Sequence, residues 1–177
     1  MLAGHSYGGS VMSQAATGNP QVKALVYVAS FILEEGESTG ELAAKFPGGE
    51  LGAALTPVPL VGEDDQDAAD LYIQQDKFHA VFAADVDPDV AALMAVTQRP
   101  IVANALAEKA TSTAWKDVPS WNVVTLADLA VPAESQRFMG ERAGSRNVEV
   151  DASHAVTVSQ PELVARTIRE AAVATAG

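Results

Sequence analysis

The sequence predicts an α/β protein in which a parallel β-sheet is flanked by helices. Strand and helix patterns alternate at both ends of the chain, which is typical of this class. Residues 22–29 form a nearly continuous apolar run, as expected for a parallel strand covered on both faces. A Gly-x-Ser-x-Gly pattern, from Gly4 to Gly8, joins a short strand to a helix. The middle of the chain departs from the alternation and indicates an insertion.

Composition limits the function before any motif is considered. The 177 residues are one domain's length, and 48% of them are hydrophobic, enough for a buried core. The formal net charge of −12 repels phosphate, so we expect neither nucleic acid nor an anionic membrane as partner. No apolar run approaches the length of a transmembrane helix. The chain has no cysteine, and its three histidines lack a zinc-ligand spacing. We expect a cytoplasmic protein that acts on a small molecule without a cofactor or metal; a homodimer is left open.

The first element is the Gly-x-Ser-x-Gly stretch, which we interpret as a nucleophile elbow. A strand stub ends at Gly4, the chain turns sharply at Ser6, and a helix begins at once. We expect Ser6 to have a strained backbone, with Gly4 and Gly8 relieving the crowding around it. The Tyr7 amide then faces an oxyanion from the helix N-terminus. The alternative is a glycine-rich turn without chemistry.

A helix and a buried strand follow the elbow. Residues 7–17 are predicted to be helical, because apolar residues recur at helical spacing. Gly18-Asn19-Pro20 ends this helix. The strand at 22–29 comes next, and residues 30–33 leave its carboxyl end, where open α/β sheets bind their ligands.

Residues 34–116 are predicted to form a helical cap over the active site. Prolines, glycines and the acidic cluster from Glu63 to Asp67 interrupt the segment. We expect helices at 40–46, 76–84, 87–96 and 100–110, and no long buried strand. A crossover connection is usually much shorter, which favours the cap. The alternative is a helical excursion packed on the sheet edge.

The alternation of strand and helix resumes near residue 117. Strands are predicted at 122–126 and 147–150, with a helix at 132–143 between them and a stop at Gly144. Ser159-Gln160-Pro161-Glu162 has the spacing of a capping box, which predicts the start of a final amphipathic helix.

Three polar side chains of complementary chemistry lie at the ends of predicted strands. A serine hydroxyl needs an imidazole to take its proton and a carboxylate to orient that imidazole. Ser6, Asp128 and His154 each follow a different strand, so we expect them to meet at one rim of the sheet. Asp117 and Asp151 are the less favoured carboxylates.

The remaining histidines are expected to have other roles. His5 adjoins the serine, so its side chain should point away and pack or hydrogen-bond behind the elbow. His79 lies in the predicted cap and could line the pocket.

Four stretches together resemble the α/β-hydrolase superfamily, especially small bacterial esterase-like members related to plant methyl-ester esterases and hydroxynitrile lyases. They are Gly4-His5-Ser6-Tyr7-Gly8-Gly9, the strand at 25–29, the stretch 125–132 and Asp151-Ala152-Ser153-His154. The order serine, aspartate, histidine is the one expected of that superfamily. The resemblance implies a core with elbow at 1–33, a cap at 34–116 and a C-terminal core with the acid and histidine loops at 117–177.

The chain matches only the C-terminal part of the family's domain. The resemblance therefore implies an N-terminal truncation, a misplaced start codon or a genomic fragment, without the loop that supplies a second oxyanion donor. The loss of one oxyanion donor lowers the catalytic rate by about 10²–10³-fold. A half-sheet also leaves an unpaired strand edge. We expect the chain expressed alone to be poorly soluble and nearly inactive, which a monomeric product with esterase turnover would refute.

The leading hypothesis is a serine esterase that acts on small carboxylic esters. Ser6 attacks the ester, His154 acts as base and then acid, and Asp128 orients it. Aromatic residues are candidates for an apolar substrate pocket, although core packing explains each equally well: Phe31, Phe78, Phe82, Trp115 and Trp121.

Two alternatives stay open. A hydroxynitrile lyase on the same scaffold would call for a lysine directly after the histidine, whereas this chain has Ala155. An inactive fragment without the N-terminal strands is the other.

Overall fold

The computed structural model describes residues 1–60 and 68–176 as an alternation of strands and helices. The strands are β1 (Leu2–His5), β2 (Leu25–Val28), β3 (Leu55–Pro59), β4 (Ala69–Ile73), β5 (Ile101–Val102), β6 (Ser120–Thr125) and β7 (Arg146–Val150). The helices are α1 (Gly8–Ala15), α2 (Thr39–Ala44), α3 (Leu51–Ala54), α4 (Gln75–Phe82), α5 (Pro88–Thr97), α6 (Ala103–Ala107), α7 (Ala133–Arg142), α8 (Val156–Ser159) and α9 (Pro161–Ala174). A 3₁₀ turn covers Ala114–Lys116.

A parallel sheet with the strand order β1-β2-β6-β7 forms the centre of the molecule. Strand β2 explains why two layers of helices cover it. Leu25 and Tyr27 pack into one core cluster, whereas Val26 and Val28 pack into another, and all four are buried. Alternation along a strand sends neighbouring side chains to opposite faces of a sheet. The prediction of a parallel sheet flanked by helices is confirmed.

The segment between β2 and β6 contains a second, smaller sheet. Strands β3, β4 and β5 pair antiparallel, and helices α4 and α5 follow β4. The predicted helices at 40–46, 76–84 and 87–96 correspond to α2, α4 and α5 with shifted ends, while 100–110 is largely replaced by β5 and the short α6. The segment is thus mixed rather than purely helical. The acidic cluster Glu63 to Asp67 lies outside the described residues.

A capping box occurs at α2 rather than at α9. The Ser38 hydroxyl accepts from the amide of Glu41, and the Glu41 carboxylate accepts from the amide of Ser38. At α9 the N-cap is Gln160, and no side-chain cap hydrogen bond forms there. The capping box predicted at Ser159 is therefore wrong, because the N-cap is Gln160, one residue after Ser159, and the helix begins at Pro161.

Within the described ranges, no helix has the length and apolar character that crossing a membrane requires.

Candidate active site

The elbow between β1 and α1 has the strained geometry predicted from the sequence. Ser6 has a φ of 53°, in the left-handed region that serine rarely adopts. Ala29 has a φ of 45° at the end of the neighbouring strand β2. Over residues 1–60 and 68–176 these are the non-glycine residues with positive φ. Such strain costs about 1–3 kcal/mol at each residue and persists where the surrounding structure fixes it, typically at functional sites.

Hydrogen bonds tie the two strained turns together. The Ser6 amide donates to the Val28 carbonyl at 3.2 Å, and the Ser6 carbonyl accepts from the Ser30 hydroxyl at 2.5 Å. The Phe31 amide lies 3.4 Å from the same carbonyl. The backbone of the elbow is thus anchored to the loop after β2.

Gly4 and Gly9, rather than Gly8, are the crowded glycines. A Cβ at Gly4 would lie 2.7 Å from the carbonyl carbon of Gly8, and one at Gly9 would lie 2.5 Å from the Phe31 carbonyl oxygen and against the Ser30 hydroxyl. Nothing lies within 4 Å of a Cβ built at Gly8. The prediction that Gly8 relieves crowding is therefore wrong, whereas Gly4 does so as expected.

Asp128 lies in the loop after β6 and accepts hydrogen bonds on both carboxylate oxygens. Its Oδ1 accepts from the amides of Ala130 and Val131, each at 2.8 Å. Its Oδ2 accepts from the Thr125 hydroxyl at 2.7 Å and from the Gln136 amide nitrogen at 3.0 Å. Burial alone would raise the pKa of Asp128, but His154 and these donors leave it below its ordinary value. The carboxylate is therefore held ionised although it is buried.

His154 lies in the loop after β7, with its Nδ1 2.8 Å from Asp128 Oδ2. An ionised carboxylate only accepts hydrogen bonds, so Nδ1 carries the proton and donates it. The Nε2 atom then presents a lone pair. Among the described residues it is buried and has no hydrogen-bond partner. A buried base nitrogen without a partner is ready to accept a proton from a third group.

His5 holds the backbone of His154. Its Nε2 donates to the His154 carbonyl at 2.8 Å, and the two rings lie 4.6 Å apart between centroids. Burial, followed by the nearby His154, lowers the pKa of His5 from 6.5 to about 4. His5 is thus a neutral donor behind the elbow, where the sequence predicted it.

The end of α4 and the residues after it hold the His154 loop from the other side. The Phe82 carbonyl accepts from the Ala155 amide at 2.9 Å and from the Ser153 hydroxyl at 3.2 Å. The Ser153 hydroxyl also contacts the Asp85 carboxylate. The Phe82 ring packs edge-on against the His154 ring, with centroids 4.7 Å apart. The segment between the sheet strands therefore contacts the histidine directly.

A cavity of about 770 Å³ opens at Ser6, within the size range of small-molecule sites. Its lining includes Ser6 and Tyr7 together with three of the predicted pocket aromatics, Phe31, Phe78 and Phe82. Tyr7 is the N-cap of α1, so its amide lies at the positive end of that helix. The structure thus brings the serine, the helix N-terminus and these aromatic rings to one cavity.

Both tryptophans lie away from this cavity. Trp115 donates from its indole nitrogen to the Leu33 carbonyl at 2.7 Å and packs against the core. Trp121 is buried in β6 within the opposite core cluster. For both, the structure favours the alternative of ordinary packing.

Three other candidates from the sequence also lie elsewhere. His79 Nε2 donates to the Val86 carbonyl at 3.0 Å, and His79 is not among the residues that line the cavity. Asp117 and Asp151 are exposed, unlike the buried Asp128.

Gln136 and Thr125 belong to the site but were not predicted from the sequence. The Gln136 Nε2 donates to the Thr125 hydroxyl at 2.8 Å and to the Val131 carbonyl at 2.7 Å, besides reaching Asp128. A signal was present, because Gln136 is a polar residue on the buried face of α7, next to Met139 in helical spacing. Buried polar side chains need partners, and here the partner is the carboxylate loop.

The described residues contain no group of three or more metal-ligating side chains that could hold a metal ion.

Comparisons with known proteins point to one family. The model of the alpha/beta hydrolase family matches residues 1–167. A curated relative, the alpha/beta hydrolase nvfD of Aspergillus novofumigatus (strain IBT 16806), is 29% identical over 97% of this chain and 69% of its own length.

Solved structures share the fold at lower identity. The pyrethroid hydrolase PytH matches with a TM-score of 0.75 and 22% identity, over 99% of this chain and 70% of that one. Polyneuridine aldehyde esterase matches with a TM-score of 0.77 and 16% identity, over 96% and 70%. At these identities the likeness shows the fold alone.

Proposed function

Because the chain belongs to the alpha/beta hydrolase family, we propose that it is a serine hydrolase that cleaves carboxylic esters through an acyl-enzyme. The observation that carries the proposal is the buried pair of Asp128 and His154, whose Nε2 has no hydrogen-bond partner among the described residues; Ser6 lines the cavity described above. Phe82 connects the two, since it lines that cavity and packs against the His154 ring.

The first half-reaction transfers the acyl group to the protein. His154 Nε2 takes the proton of the Ser6 hydroxyl as the oxygen attacks the ester carbonyl. Asp128 accepts the Nδ1 proton in a hydrogen bond and stabilises the imidazolium that forms. The imidazolium then gives its proton to the departing alcohol. An ester bond to Ser6 has formed and the substrate ester bond has broken.

The second half-reaction restores the serine. Water loses a proton to His154 and attacks the acyl carbon, and the proton returns to Ser6 as the carboxylic acid leaves. In both steps the Tyr7 amide and the positive end of α1 stabilise the oxyanion.

A hydroxynitrile lyase is less well supported. The position after the histidine is Ala155, which is buried with its amide bonded to the Phe82 carbonyl. The site therefore offers no ammonium group there. Release of cyanide from a cyanohydrin at a rate above ester hydrolysis would favour the lyase instead.

Covalent labelling tests the proposal, because it needs one reaction per molecule and is readable at low turnover. A fluorophosphonate probe should label the chain once, at Ser6, as located by peptide mass mapping. Ser6→Ala and His154→Ala should abolish labelling. Ser13→Ala, which removes a buried hydroxyl of the same helix outside the cavity lining, is the matched control and should label like the wild type. Labelling that survives Ser6→Ala, or a folded wild-type chain that stays unlabelled, would overturn the proposal.

A further inference from the structure

Gln98 is a polar residue that lines the Ser6 cavity, and its side-chain amide already forms hydrogen bonds within the protein. Its Nε2 donates to the carbonyls of Ile73 and Ala95, at 2.9 and 2.7 Å. Its Oε1 accepts from the Ile73 amide at 2.8 Å. A side-chain amide with three short bonds to backbone has little capacity left for a ligand. Gln98 therefore fastens α5 to β4 rather than offering a polar contact.

The hydroxyls that line the cavity away from Ser6 are also engaged. The Thr97 hydroxyl donates to the Leu93 carbonyl at 2.7 Å, and the Thr39 hydroxyl bonds to the Ser10 hydroxyl at 3.2 Å. Among the described lining residues, the remaining polar side chains are those of the elbow and the exposed Arg99. Toward a ligand, the described lining of the cavity is therefore mainly apolar, with its available polar groups at Ser6, Tyr7 and the exposed Arg99.

The cavity is larger than a short ester needs. Its volume of about 770 Å³ corresponds to roughly 25 water molecules at liquid density. Small residues keep part of the wall open. They are Gly40, Ala43 and Ala44 of α2, Gly49 just before α3, and Gly52 within α3. A Cβ built at Gly52 has no atom within 4 Å, so the space directly around that position is open.

We propose that this site takes uncharged carboxylic esters with a bulky apolar arm, aliphatic or aromatic, in preference to short or charged esters. The cleavage of such esters rests on the proposed function, whereas their binding does not. A charged arm would lose its hydration against a wall that offers few polar partners. An apolar arm gains up to about fourfold for each methylene it buries.

The first experiment compares the hydrolysis of p-nitrophenyl acetate, butyrate and octanoate below their solubility limits. The rate measured with Ser6→Ala is subtracted as background. We expect kcat/KM for the octanoate to exceed that for the acetate by at least about 100-fold. The p-nitrophenyl monoester of adipic acid, which carries a carboxylate, should be cleaved at least about tenfold more slowly than the octanoate. Equal or faster cleavage of the acetate, or of the adipate drawn to Arg99, would overturn the proposal.

The second experiment uses variants that narrow the pocket. Gly52→Leu and Ala43→Leu should each lower the octanoate-to-acetate ratio by about tenfold, since each side chain fills space that several methylenes would occupy. Ala92→Leu, an equally large change at an exposed position of α5 outside the cavity, is the matched control and should keep the ratio. Unchanged ratios in both narrowing variants, with circular dichroism showing native folding, would contradict the assignment of this wall.

Binding without turnover separates this inference from the proposed function. Calorimetry on Ser6→Ala should show the octanoate binding more tightly than the acetate by at least about tenfold. If that preference appears but the wild type cleaves neither ester, the pocket assignment stands and the hydrolase proposal fails. If the wild type cleaves esters while Ser6→Ala shows no preference, the hydrolase proposal stands and this inference fails.

Discussion

His5 should make the stability of the fold depend on pH in a way that one substitution removes. The side chain donates to the His154 carbonyl and is partly buried, and this burial lowers its pKa from 6.5 to about 4. Between these values the unfolded chain binds a proton that the folded chain does not. Stability therefore rises with pH across this interval and is lost as the pH falls toward 4.

The magnitude follows from the size of the shift. A shift of one pKa unit is worth about 1.4 kcal/mol, so full protonation of this one group opposes folding by about 3 kcal/mol. At about pH 5 the loss relative to about pH 7.5 is about 2 kcal/mol, because the interval is only partly traversed. That is a large share of the stability of an ordinary domain.

Urea unfolding followed by circular dichroism at about pH 7.5 and about pH 5 measures this loss. His5→Gln retains a side-chain donor but does not titrate, so its free energy of unfolding should fall by about 2 kcal/mol less than that of the wild type over this range. His79→Gln makes the same substitution at a half-buried histidine of α4 and controls for the change of side chain itself. If the His5→Gln and wild-type curves run parallel, the environment assigned to His5 is incorrect.

Two further predictions concern the carboxylate and the elbow. Asp128→Asn should lower esterase turnover by about 10⁴-fold with folding retained. An amide cannot accept a hydrogen bond from every donor around it, and it no longer fixes the His154 tautomer. A loss below about tenfold in steady-state kinetics would argue against Asp128 as the residue that orients His154. Gly9→Ala should destabilise the fold by at least about 2 kcal/mol through the clash with the loop at Ser30, whereas Gly8→Ala should change it by less than about 1 kcal/mol. Equal thermal midpoints for the two variants would contradict the packing described.

The meeting of Asp128 and His154 could be predicted from the sequence because it depends on strand order, whereas a contact between Ser6 and His154 stays a prediction. Ser6, Asp128 and His154 each follow a strand, and parallel strands end at one rim. The contact between Asp128 and His154 agrees with that expectation. Gln136 could not be assigned to the site from spacing alone, because the turn between β6 and α7 decides which face of the helix meets Asp128.

The second sheet was missed because its local signals are weak. Strand β3 contains Pro57 and Pro59, which favour a loop assignment, although an edge strand tolerates proline. Strand β5 has only two residues, and its partner β4 lies about thirty residues earlier in the chain. Pairing over such a distance is a property of the folded molecule. The crowding at Gly9 depends in the same way on a loop twenty residues further along the chain.

Intact-mass spectrometry of the chain after brief mixing with p-nitrophenyl octanoate tests the central claim most directly. We expect a mass increase of one octanoyl group, mapped by peptide analysis to Ser6 and absent from Ser6→Ala. The His154→Ala variant should acquire the group far more slowly. An octanoyl group on any other residue, or hydrolysis of the ester by Ser6→Ala at the wild-type rate, would contradict the account.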